Sequence, residues 1–253
     1  MFTRALVRTP GRSLVEGLTT AKLGKPNYFK ALDQHGAYIE ALQACGLQME
    51  VLPPLEDFPD SCFIEDVALL TPHCALITRP GAPSRQGEIS GLREILSRYY
   101  ESVEEIQAPG TVEGGDILSV GSHYYIGLSE RTNPAGAGQV IKILNEYGLT
   151  GSTIPLRQIL HLKTGIAYLK QDDLIACGEL LSREEFAGFN ILTIPEGESY
   201  AANCIWVNGT VLVPAGYPQT AGIIQEAGYP VREVDVSEFR KLDGGMSCLS
   251  LRF

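Results

Sequence analysis

Asn203-Cys204-Ile205-Trp206-Val207-Asn208-Gly209-Thr210-Val211-Leu212-Val213-Pro214 reads as two short apolar strands joined by a two-residue turn. Asn-Gly is the strongest short hairpin signal, because both central positions of a type I′ turn need positive φ and these residues adopt it at least cost. The same unit recurs upstream at a spacing of roughly 40 to 50 residues, a range that marks repeat architectures. Residues 66–70 and 74–79 flank Thr71-Pro72-His73, 116–120 and 123–127 flank Gly121-Ser122, and 165–169 and 174–178 flank Lys170-Gln171-Asp172-Asp173. Between the hairpins, residues 28–45, 88–99, 135–147 and 219–227 place apolar side chains at three-to-four spacing and predict helices, with 183–189 a shorter case. Each unit is therefore strand, strand, helix, strand.

Repetition of this kind favours radially arranged units over an open, unsymmetrical α+β sheet. The chain ends on half a unit: residues 247–253 read as a strand without a following partner, and the strand predicted at 3–8 can complete it. The expected fold is α/β, a ring of five units with pseudo-fivefold symmetry, closed by pairing the N- and C-terminal strands. In such a ring, corresponding ends of the hairpins converge on one axis. The residues leading into the first strands, Glu65, Asp66, Glu113, Asp116, His161, Asn203 and Cys248, should then meet although they are far apart in sequence.

The 253 residues are expected to form one catalytic domain with a sizeable core. Six scattered cysteines, no signal-peptide pattern and no apolar run near the roughly 20 residues of a membrane span predict a cytoplasmic protein with free thiols and no membrane partner. No C-x-x-C pair and no clustering of the four histidines suggests a metal site, and no cofactor motif is present. A net charge of −10 argues against nucleic acid and suits a small cationic substrate.

The last eleven residues, Asp243-Gly244-Gly245-Met246-Ser247-Cys248-Leu249-Ser250-Leu251-Arg252-Phe253, place a thiol between a glycine turn and a half-buried strand expected from Cys248 onward. Gly244 and Gly245 would permit positive φ and close approach of a ligand. A cysteine alone usually packs as a small hydrophobe. Convergence with His161, the one histidine leading into a first strand, changes that reading, since thiolate and imidazole supply nucleophile and proton carrier at neutral pH. His35, His73 and His123 fall in a helix or in hairpin turns, where solvated roles are commoner. The carboxylates Asp60, Glu65, Asp66, Glu113 and Asp116 exceed what orienting one histidine requires, and they match the forked donors of a guanidinium.

Five segments carry a family resemblance along essentially the whole chain: 58–66, Thr111-Val112-Glu113-Gly114-Gly115-Asp116, Leu160-His161-Leu162-Lys163-Thr164-Gly165, Ser199-Tyr200-Ala201-Ala202-Asn203-Cys204, and Asp243 to Cys248. Together they resemble the dimethylarginine dimethylaminohydrolases of the guanidine-modifying pentein superfamily. The resemblance implies a five-bladed αβ propeller and hydrolysis of methylated arginine to citrulline. It implies Cys248 as nucleophile, His161 as acid and base, and Glu113 and Asp66 as guanidinium ligands. Asp60 and Glu65 would complete the acidic wall, Arg85 and Arg131 would hold the substrate carboxylate, and the Leu18 loop would be a lid. Ser247 and Leu18 would shape the pocket.

Related arginine deiminases carry a His-x-Asp element where this chain has His161-Leu162-Lys163, and the missing carboxylate fits an N-methylated substrate better. A deiminase or other guanidine hydrolase ranks second, an amidinotransferase third, and a silent binder of arginine derivatives is the rival from outside catalysis. Blade edges could pair two copies into a homodimer, although no apolar stripe demands it.

Overall fold

The computed structural model describes residues 1–253, and the repeat is plain in its strand pairing. Strand β1 (Arg4–Arg8) runs parallel to β2 (Gln48–Leu52), with helix α1 (Tyr28–Ala44) as the crossover. Next come β3 (Ala68–Leu70), β4 (Ala75–Ile77) and β5 (Val103–Glu105), in which β4 is antiparallel to its hairpin partner and parallel to the strand after the crossover. The same arrangement returns in β6 (Ile117–Val120), β7 (His123–Leu128) and β8 (Thr150–Pro155), in β9 (Ile166–Lys170), β10 (Asp173–Ala176) and β11 (Asn190–Thr193), and in β12 (Ile205–Val207), β13 (Thr210–Pro214) and β14 (Val231–Val234). Finally β15 (Leu251–Arg252) pairs antiparallel with β1, setting Ala5 opposite Arg252 and Leu6 opposite Leu251. Five three-stranded sheets thus form the blades of an αβ propeller closed by the two ends of the chain.

Local chemistry explains the elements. The Asn208-Gly209 turn has φ values of 50° and 100°, as a type I′ hairpin requires. Asn208 also ties the ring shut: its Oδ1 accepts from Phe2 N at 2.9 Å, and its Nδ2 donates to Phe2 O at 2.8 Å and Cys45 O at 3.0 Å. Helix α1 is capped by Asn27, whose side chain accepts from Lys30 N, and buries Ala31, Gln34, His35, Tyr38, Ala41 and Leu42 on one face. The predicted 88–99 helix is interrupted. A 3-10 segment, Pro83–Ile89, precedes a short α2 (Leu92–Leu96), and Gly91 at φ 73° separates them.

Helices α3 (Pro134–Glu146) and α4 (Pro218–Glu226) lie where helical spacing placed them, each opening on a proline suited to the first helical turn. The 183–189 stretch is only a 3-10 turn, Glu184–Phe186. The blade β9–β11 therefore carries no α-helix. A further short helix, α5 (Ser237–Arg240), follows β14 and was not anticipated.

Buried apolar residues fall into five clusters, each lying between neighbouring blades. The largest joins α1 and β1 to the β12–β14 blade and contains the Cys248 turn, so the C-terminal turn is anchored by the main core. His35 is 3 % exposed, with Nε2 lacking a partner. Burial pushes its pKa down to about 4, which makes it a neutral core residue rather than the solvated one expected.

Candidate active site

Every blade begins with a 3-10 turn: Ile64–Val67, Gly114–Asp116, Leu162–Thr164, Glu196–Ala202 and Ser247–Leu249. A polar bond joins each turn to the next. Asp66 Oδ1 accepts from Gly115 N at 2.9 Å, and Asp116 Oδ1 accepts from Leu162 N at 3.0 Å. Asn203 Nδ2 donates to Lys163 O at 3.0 Å while its Oδ1 accepts from Ser247 N at 2.8 Å. Ser247 Oγ then donates to Glu65 Oε2 at 2.6 Å and completes the circle. The convergence expected from the repeat is therefore realised as a closed hydrogen-bonded ring.

His161 stands at the start of its turn, with Nε2 2.8 Å from Glu113 Oε2. Burial opposes a charge on the imidazole, but Asp66, Glu113 and Asp116 outweigh it and lift the pKa to about 9, so the ring is an imidazolium at neutral pH. Glu113 is fully buried, and although burial alone would raise it, the bond with His161 holds its carboxyl below the ordinary value. Its second oxygen accepts from Gly81 N at 3.1 Å and Ala82 N at 3.2 Å. Asp66 is likewise held low, burial being overcome by Arg85, His161 and the Gly115 amide. A glycine is required at 115, where a Cβ would stand 2.9 Å from His161 Cγ and Nδ1.

Cys248 lies within a turn, not at the head of a strand, and β15 starts only at Leu251. Ser247 is the reason: its amide and hydroxyl are engaged by Asn203 and Glu65, which curls the chain before it can extend. Neither Gly244 nor Gly245 has positive φ; in this stretch that conformation belongs to Asp243, at φ 59°. The two glycines instead allow close approach, since a Cβ at 244 would meet Phe63 Cε1 at 2.2 Å and one at 245 would meet Asn203 Cγ at 2.5 Å. The thiol accepts from Gly245 N at 3.4 Å. Burial, with Glu65 and Asp66 adding to it, pushes its pKa up to about 12, so the resting group is a neutral thiol.

Other expected residues take more specific places. Glu65 does orient its neighbours: Oε1 is 2.5 Å from Lys163 Nζ and Oε2 holds Ser247. Both oxygens of Asp60 share the single Leu18 N–H, at 3.0 and 3.2 Å, and so dock the exposed Leu18 loop while keeping lone pairs for a ligand. Thr20 and Asp243 latch the same loop, with Thr20 Oγ1 donating to Asp243 Oδ2 at 3.0 Å. Arg85 lies deeper. It is 4 % exposed, its Nε and Nη2 grip Glu88 at 2.9 and 2.8 Å, and its Nη1 binds Asp66 at 2.7 Å. Arg131 is more open, its Nη1 3.5 Å from Glu113 Oε1 and its side chain 21 % exposed.

Three participants escaped the sequence reading in their actual roles. Glu88 forms a two-pronged pair with Arg85, for which the Arg-x-x-Glu spacing was an available signal. Asp116 is fully occupied by Ser129 Oγ, Thr132 Oγ1 and Leu162 N, so it organises the His161 turn instead of facing a ligand. Asn203 was placed in the ring without a task, and it is the bridge between the histidine and cysteine turns. One ligand atom each from Asp66, Glu113 and His161 lies within 4.8 Å of the others; these are the atoms already engaged in the carboxylate–imidazolium cluster. No helix is long and apolar enough to cross a membrane.

A family model described as arginine deiminase matches residues 54–212. An N(G),N(G)-dimethylarginine dimethylaminohydrolase from Pseudomonas aeruginosa is 59% identical over 254 aligned residues that cover 100% of both chains. Another protein of that name, from Streptomyces coelicolor, is 37% identical over 98% of this chain and 96% of its own length. A solved structure of the Pseudomonas aeruginosa enzyme, a cysteine-to-serine variant in complex with citrulline, superposes with a TM-score of 0.99 over 100% of both chains at 59% identity.

Proposed function

The chain belongs to the dimethylarginine dimethylaminohydrolases of the arginine deiminase family, and from that membership we propose that it hydrolyses Nω,Nω-dimethyl-L-arginine and Nω-methyl-L-arginine to L-citrulline, releasing dimethylamine or methylamine. The observation that carries the mechanism is the imidazolium–carboxylate pair of His161 and Glu113, set in a ring that also fixes the Cys248 turn.

The substrate guanidinium binds between Asp66 and Glu113, and Arg131 takes the α-carboxylate. Arg85 acts on the same site by fixing Asp66. The arriving cation offsets Asp66, one of the two carboxylates that with burial oppose ionisation of Cys248, so the thiol loses its proton to solvent as substrate binds. The thiolate adds to the guanidinium carbon. The C–N bond to the amine then breaks as His161 gives its proton to the leaving nitrogen, which leaves an S-alkylthiouronium on Cys248. Neutral His161 next takes a proton from water and hydroxide adds to the same carbon; the C–S bond then breaks to return the thiolate, and citrulline is released as the added hydroxyl loses its proton to solvent. Glu113 and Asp66 stabilise the positive charge throughout. The Leu18 loop, latched by Asp60 and Asp243, excludes bulk water.

Lys163, two residues after His161, neutralises Glu65 and supports methylated over free arginine, because no second carboxylate is left there for an unsubstituted nitrogen. The proposal extends to the whole chain as one catalytic domain and to a cytoplasmic location, which the six free cysteines suit. Pairing of blade edges into a homodimer is part of the same reading. Incubation with asymmetric dimethylarginine and with arginine, measuring citrulline, dimethylamine and ammonia, tests the function. Citrulline and dimethylamine from the methylated substrate, absent in Cys248→Ser, is the expected result; ammonia from arginine would assign a deiminase.

A further inference from the structure

The innermost strands β3, β6, β9, β12 and β15 are each paired on one side only, and they surround a cavity of about 730 Å³ on the propeller axis. It runs from the blade-leading turns, where Glu65, Lys163 and Ser247 line it, to the hairpin ends, where Pro72, Gly121 and Lys170 line it. Its volume lies within the range of small-molecule sites. We propose that this channel is a second ligand site, distinct from the methylarginine pocket, that takes a small hydroxylated carboxylate.

Charge and backbone chemistry define the ligand class. In a chain of net charge −10, this cavity is lined by Lys163, Lys170 and Arg252 against a single acid, Glu65. At the inner end Glu65 Oε1 is shared, 2.5 Å from Lys163 Nζ and 3.8 Å from Arg252 Nη2, so two cations meet one carboxylate. Arg252 Nη1 is held by Ser250 Oγ at 2.8 Å, which fixes the guanidinium without neutralising it. A second carboxylate completes that charge balance and matches the guanidinium fork. The rest of the wall includes open strand edges, whose N–H and C=O groups need hydrogen-bond partners. Hydroxyl groups satisfy such edges, while the apolar side chains that make up most of the lining, Ile117, Ile166, Leu251 and Trp206 among them, pack against the carbon skeleton that carries those hydroxyls. Over five residues of β9 the wall is roughly 16 Å long at ~3.3 Å per residue, enough for a six-carbon acid.

The site is coupled to the reaction centre through one residue. A carboxylate bound by Arg252 and Lys163 loosens their hold on Glu65, which accepts from Ser247 beside Cys248 and already opposes ionisation of the thiol. Occupancy of the channel therefore lowers kcat with little change in KM. This consequence rests on the methylarginine reading, whereas the binding does not.

The chain has one tryptophan, Trp206, and it lines this channel with the Lys170 ammonium 5.2 Å from its ring. Its emission is a direct reporter. Titration with gluconate is expected to give a saturable change in Trp206 fluorescence, and the neutral polyol sorbitol none. Arg252→Gln should weaken gluconate binding about tenfold, as loss of a charge-assisted contact does. Because Arg252 also supports the terminal strand, Lys170→Gln at the exposed channel mouth is the second variant and should weaken binding severalfold. A saturable response that both variants leave unchanged would overturn the site, as would no response at all. Equal binding of sorbitol, or tighter binding of octanoate, would overturn the ligand class. Gluconate binding without inhibition of turnover would remove the coupling alone.

Discussion

The Ser247 hydroxyl donates to Glu65 Oε2 at 2.6 Å, across 182 positions of sequence, and so ties the nucleophile's turn to the first acidic turn of the ring. The other Glu65 oxygen neutralises Lys163, whose side chain is only 16 % exposed. Removing the carboxylate strands a largely buried ammonium. Glu65→Ala should lower stability by about 3 kcal/mol, within the usual cost of breaking a buried ion pair from one side. Lys163→Met in that background should recover part of the loss, and urea denaturation of the three variants measures both.

Asn203 acts on the reaction through others. It donates to Lys163 O and accepts from Ser247 N, so it sets the histidine turn against the cysteine turn. Asn203→Ala strips its partner from the buried Ser247 amide, at about 1–3 kcal/mol, and from the partly buried Lys163 carbonyl at less. Asn203→Asp keeps the acceptor for Ser247 N but turns an oxygen toward the Lys163 carbonyl. Both variants should lose kcat by roughly tenfold or more with a smaller change in KM, since a misplaced reacting pair costs rate more than binding. Steady-state kinetics on protein with unchanged circular dichroism checks this; a KM effect alone would point to the pocket instead.

Gly245 gives a steric counterpart. Its φ is ordinary, but a Cβ there would fall 2.5 Å from Asn203 Cγ, itself fixed by three hydrogen bonds. Gly245→Ala should therefore destabilise by about 1–3 kcal/mol, as overpacking of a tight contact does. Gly138→Ala, on α3 with open space at the Cβ position, should be neutral or stabilising by a few tenths of a kcal/mol or more. Thermal melts of the two variants separate crowding from backbone propensity.

These residues also show which parts of the molecule sequence made legible. Hairpins announce themselves locally, through Asn208-Gly209 and alternating strands, and the half unit at 247–253 required a partner, so ring closure and the meeting of Glu65, Asp66, Glu113, His161 and Cys248 followed from order alone. Hydrogen-bond assignment did not. Asp60 and Asp66 look alike in sequence, yet one holds the Leu18 amide and the other faces His161, a difference set by which amide each turn meets after folding. Arg85 was visible as a cation and Glu88 as its i+3 neighbour, but burial turned the guanidinium inward to Asp66. The Cys248 turn was read as strand because Leu249 and Leu251 alternate, a local pattern overridden by the tertiary bonds at Ser247.

The His161–Glu113 pair predicts how activity and stability depend on pH. His161 must carry a proton to release the amine, and its pKa is lifted from 6.5 to about 9. The second-order rate of the first half-reaction, which reports the free enzyme, should therefore fall as pH rises through about 9. Glu113→Gln removes the anion that supports the imidazolium and should move this limb to lower pH by about one unit or more. Because the folded value lies above the unfolded one, the ionised pair contributes stability that is full below about pH 6.5 and is lost as pH rises through about 9. Single-turnover amine release at subsaturating substrate against pH, in both proteins, gives the limb; a limb that does not move in Glu113→Gln assigns it to another group.

The state of Cys248 yields a prediction of opposite sense. Burial, Glu65 and Asp66 lift the thiol to about 12, which leaves almost no thiolate in the free protein near neutrality. A cation placed between Asp66 and Glu113 offsets that negative field, so ionisation should follow occupancy. Ultraviolet thiolate absorbance at neutral pH should be absent from the free enzyme and should rise on binding a non-hydrolysable guanidinium ligand. Alkylation of Cys248 by iodoacetamide should be slow without ligand, and Asp66→Asn should speed it in the free enzyme by removing one of the opposing charges. Thiolate absorbance already present in the free enzyme and unaffected by ligand would mean that the protein alone ionises its nucleophile, and the substrate would then have no part in activating it.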